Sequence, residues 1–278
     1  MAHIPNMKKH ISYRSAELLK ELHLHNQDFF TLKDAREILT NSEESAIRKL
    51  LSDMTKRGLI LRIKDGLYNL IPYEKESDKY FPNWHLVAAK LVQPEEYYIG
   101  FYSALDIHGL VTQPSLSEQI VTKKQFTPKK QLIKKVKFEF ITYNEQRFFG
   151  FEKKWIDDFN KVYCSEIEKT IIDCLYKPNY SGGIPEIIKA IHKSREQINL
   201  GKMHLYLDKF DTQVVLKRLG FILQYLDLFD SIKNNIKPGV SSSYTLLDPS
   251  LPKSGKYYSE WKIIDNVGID SAINSLLT

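Results

Sequence analysis

Only a few residues of this sequence have a type and spacing that could support catalysis. Glu152 and Lys154 form the Glu-x-Lys fragment of metal-dependent nucleases. Such a nuclease also needs an acidic partner to bind its metal ion, and Asp106 is the candidate that the sequence offers. Because so short a fragment is common by chance, we predict no catalytic residue and keep the nuclease as an alternative.

Motifs for phosphate binding, zinc proteolysis and serine hydrolysis are absent from the sequence. It has no G-x-x-x-x-G-K-[ST] or G-x-G-x-x-G loop, no H-E-x-x-H and no G-x-S-x-G. His23 and His25 do not share a helix face at their spacing, and two cysteines make neither a disulfide framework nor a zinc site. We therefore expect a non-enzyme without metal or cofactor, although the C-terminal part leaves the alternative open.

Serine, arginine and lysine residues around positions 41–56 have the chemistry of DNA recognition. Ile47, Leu50, Leu51 and Met54 recur at helical spacing and predict one buried face. The opposite face combines short hydroxyls with cations, which suits a helix in the major groove, although solvated helix faces often have the same composition. With the flanking turn and hairpin included, the residues expected to contact DNA are Thr31, Asn41, Ser42, Ser45, Arg48, Lys49, Ser52, Lys56, Arg62 and Lys64.

The elements around this helix occur in winged helix-turn-helix order. A shorter helix is predicted over 31–39, with Thr31 at its cap. Asn41, with Glu44 three residues later, predicts the N-cap of the second helix. Gly58 is expected to end that helix in a left-handed conformation.

A hairpin follows the second helix. The β-prone runs 59–64 and 67–71 flank Asp65-Gly66, a strong signal for a two-residue turn. Arg62 and Lys64 stand beside this turn, where the wing of such a domain contacts the phosphate backbone.

Chain length and composition indicate two domains. The 278 residues are 42% hydrophobic, enough for substantial cores, and the charged segment between Pro72 and Pro82 reads as a linker. We predict a winged helix-turn-helix domain over 1–72, a linker over 73–83 and a larger mixed α+β domain over 84–278. The fold class is therefore α+β.

The second domain shows both helix and strand signals. A helix closed by Gly109 is predicted over 97–110, and Ser165 with Glu168 predicts a capping box for a helix that ends at Tyr176. Further helices are expected over 185–195 and 211–229. Strands are expected over 117–122, 136–141, 148–155 and 261–264.

A lysine cluster separates the first two of these strands. It is either a solvated loop with a lysine-protected edge strand or a second nucleic-acid surface, and the sequence does not separate the two. Seven of fifteen residues are lysines: Lys123, Lys124, Lys129, Lys130, Lys134, Lys135 and Lys137.

Charge and hydropathy limit which partners and which cellular location can be expected for the protein. The formal net charge is +6, which suits a polyanionic partner. The N-terminal region lacks the apolar segment of a signal peptide, and no apolar run is long enough to span a membrane. We expect a cytoplasmic protein without membrane contacts.

Several segments together resemble the AbiEi family of antitoxins and transcriptional regulators from bacterial abortive-infection systems. Residues 59–68, LILRIKDGLY, look like the wing of that family, and residues 98–110 resemble the start of its antitoxin domain. Segments 165–175 and 217–223, with Trp261, follow in the expected order. Each segment is weakly specific alone, and the resemblance rests on their order and spacing.

The resemblance implies a winged helix that binds inverted repeats upstream of its own operon and represses it. The C-terminal domain would counter a nucleotidyltransferase-like toxin without forming a stable complex. Two copies would bind the DNA, while the chain can be a monomer in solution. The alternatives are an enzyme acting on nucleic acid or on a toxin, with the winged helix as its targeting module, and an interaction module that blocks a toxin directly.

Overall fold

The computed structural model describes residues 11–114 and 117–274 of a chain that divides into two compact units, 1–91 and 92–278. Helices and strands occur in both units, which confirms a mixed α+β fold. The segment predicted as a linker, 73–83, lies inside the first unit, where the Tyr80 hydroxyl donates to Asn69 Oδ1 at 3.2 Å. The first ten residues of the predicted N-terminal domain lie outside the described residues.

The first unit combines helices with a three-stranded antiparallel sheet of order β1-β3-β2. The described helices are α1 (Tyr13–Leu24), α2 (Leu32–Ile38), α3 (Glu44–Lys56) and α4 (Trp84–Val92), the last of which ends at the boundary between the units. The strands are β1 (Phe29–Thr31), β2 (Ile60–Lys64) and β3 (Leu67–Leu70). The predicted helices α2 and α3 and the β2–β3 hairpin are confirmed, whereas β1 was not predicted.

Capping and termination explain the limits of α2 and α3. Thr31 and Asp34 form a reciprocal capping box, in which the Asp34 amide donates to Thr31 Oγ1 at 3.2 Å. The predicted cap at Asn41 was wrong: Glu43 is the N-cap of α3, and its side chain makes no capping bond. The turn after α2 is longer than the sequence suggested, since the Ser42 amide still bonds back to the Leu39 carbonyl. Gly58 ends α3 with a φ of +68°, as predicted.

The β2–β3 hairpin turns at Asp65-Gly66. Lys64 pairs with Leu67 across this two-residue connection, and Gly66 has a φ of +71°. The register shifts between Arg62 and Lys64, so that β2 contains a bulge. A left-handed glycine with a bulge lets a tight turn match the twist of its strands.

A six-stranded mixed sheet, of order β6-β7-β5-β4-β9-β8, organises the second unit. The β5–β7 and β4–β9 pairs are parallel and the others antiparallel. Its strands are β4 (Tyr97–Ile99), β5 (Ser117–Thr122), β6 (Lys130–Ile133), β7 (Val136–Thr142), β8 (Phe151–Trp155) and β9 (Lys161–Ser165). A smaller sheet contains β10 (Thr245–Leu246), β11 (Lys256–Tyr258) and β12 (Ile263–Asp265).

Four helices of the second unit, α5, α7, α8 and α9, pack against α6, a helix whose central residues are buried almost all round. Arg218 caps the carboxyl end of α6 by donating to the Leu175 carbonyl at 2.6 Å, and burial lowers its pKa to about 10. The helices are α5 (Phe101–Ile107), α6 (Ile167–Tyr176), α7 (Ile184–Ser194), α8 (Leu200–Phe210), α9 (Gln213–Leu226), α10 (Asp230–Ile236) and α11 (Ile269–Asn274).

Two predicted features of the second unit were wrong. The helix over 97–110 begins only at Phe101, because Tyr97–Ile99 pairs with β5 and β9 as a strand. Ser165 does not cap α6: its hydroxyl bonds to Thr170 Oγ1 at 2.6 Å, and Glu166 is the N-cap. The Glu168 carboxylate instead accepts from the Asn199 amide at the start of α8.

Several interior residues of the second unit have special packing. Gly220 sits beneath the buried Trp261, where an added Cβ would lie 2.1 Å from Cζ3 of the indole. Cys164 on β9 and Cys174 on α6 are free and fully buried, and burial raises the pKa of both thiols.

Among the helices of residues 11–114 and 117–274, none has the length and apolar character needed to cross a bilayer.

Candidate nucleic-acid interface

Helix α3 separates an apolar face from a polar, cationic one. Ile47, Leu51 and Met54 are buried in the core of the first unit. The exposed side of the helix displays predicted contact residues, namely Ser45, Arg48, Lys49, Ser52 and Lys56. The periodicity seen in the sequence therefore corresponds to a real division between core and surface.

One carboxylate holds two arginines near the start of α3. Arg48 donates to Glu44 Oε1 from Nε at 3.0 Å and from Nη2 at 2.8 Å. Arg36 of α2 lies 2.9 Å from the other oxygen, Oε2. All three side chains are substantially exposed, so these ion pairs contribute little stability. Both guanidiniums can therefore exchange Glu44 for a phosphate.

A cleft of about 230 Å³ lies between α3 and the β2–β3 hairpin. Four predicted contact residues line it together: Arg48, Ser52, Lys56 and Arg62. Arg62 is held over the turn by an ion pair with Asp65, with Nη2 and Oδ1 2.6 Å apart. The fold thus brings the helix and hairpin cations to one surface.

Two further predicted contact residues are engaged within the protein. The Thr31 hydroxyl donates to Asp34 Oδ2 at 2.8 Å within the α2 cap. The Lys64 ammonium donates to the Leu91 carbonyl at 2.8 Å, and burial lowers its pKa. Asn41 and Ser42 lie in the turn before α3. Arg62 is therefore the hairpin cation that is exposed beside α3, whereas Lys64 ties the hairpin to the end of α4.

Three residues at or beside this surface were not predicted from the sequence. Thr55 and Tyr68 line the cleft with the predicted cations, and Arg36 of α2 shares Glu44 with Arg48. Thr55 lies seven residues after Arg48, a spacing that shares a helix face, so the sequence contained that signal. The positions of Tyr68 and Arg36 depend on how the hairpin and α2 pack, which local patterns do not encode.

The lysine cluster of the second unit is largely neutralised by acids. Lys123 pairs with Glu96 at 2.7 Å and Glu145 at 3.2 Å, and Lys124 pairs with Glu95 at 2.6 Å. Lys130 and Lys137 share Glu139, at 3.2 and 2.9 Å. Lys130 begins β6, an edge strand of the sheet. This arrangement favours the edge-strand interpretation. The remaining members of the cluster are Lys129, Lys134 and Lys135.

The Glu-x-Lys fragment lies on β8, where Lys154 faces a histidine. The Lys154 ammonium donates to His108 Nδ1 at 2.6 Å, while His108 Nε2 donates to the Ser165 carbonyl at 2.7 Å. Burial, together with Lys154, lowers the pKa of His108 to about 4, so the imidazole is neutral. No group of three or more His, Cys, Asp and Glu that could hold a metal occurs among the described residues. The arrangement around Lys154 is a structural contact between β8 and the end of α5.

Comparisons with known proteins give a relative in fold. No protein-family model and no curated protein matches the sequence. A solved structure, described as the crystal structure of the RV2827C protein from Mycobacterium tuberculosis, superposes with a TM-score of 0.73 at 11% sequence identity. The match covers 97% of this chain and 96% of that one. The chain therefore shares the fold of the RV2827C protein.

Proposed function

We propose that this protein is a DNA-binding transcriptional regulator whose first unit is a winged helix-turn-helix domain. The observation that supports this most is the joint surface of α3 and the β2–β3 hairpin, where Arg48, Ser52, Lys56 and Arg62 line one cleft. The order of helices and strands, with sheet order β1-β3-β2, is also that expected of a winged helix. In this arrangement α3 enters the major groove and the hairpin contacts the phosphate backbone.

Residues exposed on α3 have the chemistry for both base and phosphate contacts. Ser45 and Ser52 are short enough to let the helix approach the bases, and Arg48 can reach a guanine edge once it leaves Glu44. Lys49, Lys56 and Arg62 supply phosphate contacts whose strength falls with salt. We propose that two copies of the chain bind inverted repeats upstream of their own operon and repress it.

The resemblance to AbiEi proteins extends this proposal to the second unit. We propose that this unit counters a nucleotidyltransferase-like toxin encoded by the neighbouring gene, in the cytoplasm and without a stable complex. Expression of the full chain should restore the growth of cells that produce the toxin. Rescue without co-purification of the toxin supports this proposal. Co-purification of the two proteins instead favours a direct inhibitor.

A titration against the DNA upstream of the gene tests the regulator proposal. Fluorescence polarisation of the full chain, at two salt concentrations and with unrelated DNA as competitor, separates specific from general binding. We expect complexes that survive competitor and weaken steeply with salt. Equal affinity for upstream and unrelated DNA would contradict the proposal that the protein is a regulator.

A further inference from the structure

Aromatic side chains are unusually exposed on the hairpin formed by β8 and β9, residues 151–165, which we call the aromatic hairpin. Phe159 is 86% exposed, Trp155 58% and Tyr163 38%. Single exposed apolar residues are common on protein surfaces, but several on one small element point to a binding surface. The hairpin belongs to the second unit, whereas α3 and its cleft belong to the first.

The strand register places rings and cations on the same face of the hairpin. Lys153 is directly opposite Tyr163, and Trp155 is opposite Lys161. Directly opposed residues of antiparallel strands project from the same side, and so do residues two apart along one strand. The face therefore alternates aromatic rings with lysines.

The lysines lie close to the ring faces. Lys161 Nζ is 4.1 Å from the centre of the Trp155 ring, and Lys153 Nζ is 5.5 Å from the centre of the Tyr163 ring. Cations at these distances are attracted to the rings. Because each ammonium lies over its ring, a base that stacks there takes the place of the lysine, which can then contact a phosphate; the pairing suits a ligand that is both aromatic and anionic.

The hairpin is fixed at both ends. At its turn, Asp157 Oδ1 accepts hydrogen bonds from the Phe159 amide at 2.9 Å and the Asn160 amide at 2.7 Å. At the other end, Phe151 stacks on the buried Tyr98, with ring centres 5.1 Å apart. Because the backbone is already ordered, a ligand loses little free energy to ordering this surface.

We propose that the aromatic hairpin is a stacking platform for single-stranded nucleic acid. Unpaired bases stack on aromatic rings irrespective of their sequence, while lysines contact the phosphates. Bases in a duplex are stacked on each other and are not available to Trp155 and Tyr163, so a duplex gains only the lysine contacts. DNA and RNA share the base faces and phosphates that this platform recognises. This binding activity lies beyond the proposed operator recognition and does not depend on it.

Fluorescence polarisation with labelled oligo(dT) and oligo(U) tests the platform in the full chain. We expect Trp155→Ala and Tyr163→Ala each to weaken binding by about 5- to 150-fold, the range typical of losing a stacked base. Tyr13→Ala removes a ring that is 85% exposed on α1 and should leave the affinity unchanged. Lys161→Gln should reduce the salt slope by about 0.7. A difference between the two oligonucleotides identifies DNA or RNA as the preferred source.

Fluorescence gives a second readout that a folding defect does not mimic. Trp155→Phe keeps a stacking ring, so it should retain binding while the tryptophan quenching caused by oligonucleotide is reduced. The proposal is overturned if neither oligonucleotide binds, if duplex DNA competes as well as a single strand, or if Trp155→Ala behaves like Tyr13→Ala. Retention of a partner protein by the hairpin in place of oligonucleotide also overturns it.

Discussion

The Lys169 ammonium donates a hydrogen bond to the Asp173 carboxylate one turn later in α6, and both side chains are completely inaccessible to solvent. Tyr98 links the two, since Lys169 Nζ donates to its hydroxyl and that hydroxyl donates to Asp173 Oδ2, both at 3.0 Å. The rings of Tyr143 and Phe210 lie 5.0 and 5.1 Å from the ammonium. Burial lowers the pKa of Lys169 and raises that of Asp173.

Removing one charge of the Lys169–Asp173 pair should destabilise the protein far more than replacing both residues by apolar ones. Lys169→Met leaves the Asp173 carboxylate buried without its cation, and we expect a loss of about 3–5 kcal/mol in unfolding free energy. Lys169→Met combined with Asp173→Leu removes both charges and should recover much of that loss. Urea unfolding of the two single variants and the double variant gives the coupling energy. Additive effects of the two substitutions would show that the pair is not coupled.

His108 should make the stability of the second unit depend on pH. Its pKa is lowered from 6.5 to about 4 in the folded chain, so the unfolded chain binds a proton between these values that the folded chain does not. The contribution of His108 to the free energy of unfolding is therefore fully present above pH 6.5. It is lost as the pH decreases towards 4, by on the order of 3 kcal/mol in all.

His108→Gln should flatten that dependence. Glutamine does not titrate and can still donate to the Ser165 carbonyl, so urea unfolding of the variant should change less between pH 6.5 and 4. His23→Gln, on the exposed side of α1, is the matched control and should keep the wild-type slope. Parallel slopes for the wild type and His108→Gln would contradict the assignment.

Gly220 is required by the close approach of Trp261. A methyl group there would overlap the indole, so Gly220→Ala should destabilise the protein by about 1–3 kcal/mol even though alanine favours helices. Gly239→Ala, where nothing lies within 4 Å of the added carbon, controls for the change in the unfolded chain. Thermal unfolding measures both variants, and an equal effect at the two sites would argue against the overlap.

Glu44 should restrain DNA binding, because it neutralises Arg36 and Arg48. Glu44→Gln releases both guanidiniums, and we expect tighter binding to DNA with a salt slope steeper by about one or two units. Arg48→Ala should act in the opposite direction and weaken operator binding. Polarisation titrations at several salt concentrations measure both effects.

A matched control separates this local effect from net charge. Glu37→Gln changes the charge of the chain by the same amount but disturbs only the exposed Lys33–Glu37 pair of α2. We expect its salt slope to stay near that of the wild type. Identical behaviour of Glu37→Gln and Glu44→Gln would show that total charge, and not the released arginines, sets the affinity.

Local sequence signals predicted the first unit well because its elements are defined by near neighbours. The spacing of Ile47, Leu51 and Met54 gives the buried face of α3, Gly58 gives its end, and Asp65-Gly66 gives the hairpin turn. Each signal acts within a few residues along the chain. The limits of β1 could not be obtained in this way, because this short strand depends on pairing with β3.

Long-range pairing accounts for most of what the sequence did not reveal in the second unit. Tyr97–Ile99 is a strand only because β5 and β9 lie on either side of it. Lys123 pairs with Glu145 and Lys130 with Glu139, and because both acids lie outside the lysine cluster, the cluster alone did not separate a solvated loop from a nucleic-acid surface. Lys169 and Asp173 contradict the usual polarity pattern altogether, since both are charged residues inside a core.

The two buried thiols report on transient local opening of the second unit. Cys164 and Cys174 are its only cysteines, and both belong to the second unit. A thiol reagent reaches them only when β9 or α6 transiently separates from its neighbours. The rate of labelling therefore measures the opening free energy of the second unit in the intact protein, without mutation and without a signal from the first. A toxin or nucleic acid that binds this unit and suppresses these transient separations would slow the labelling.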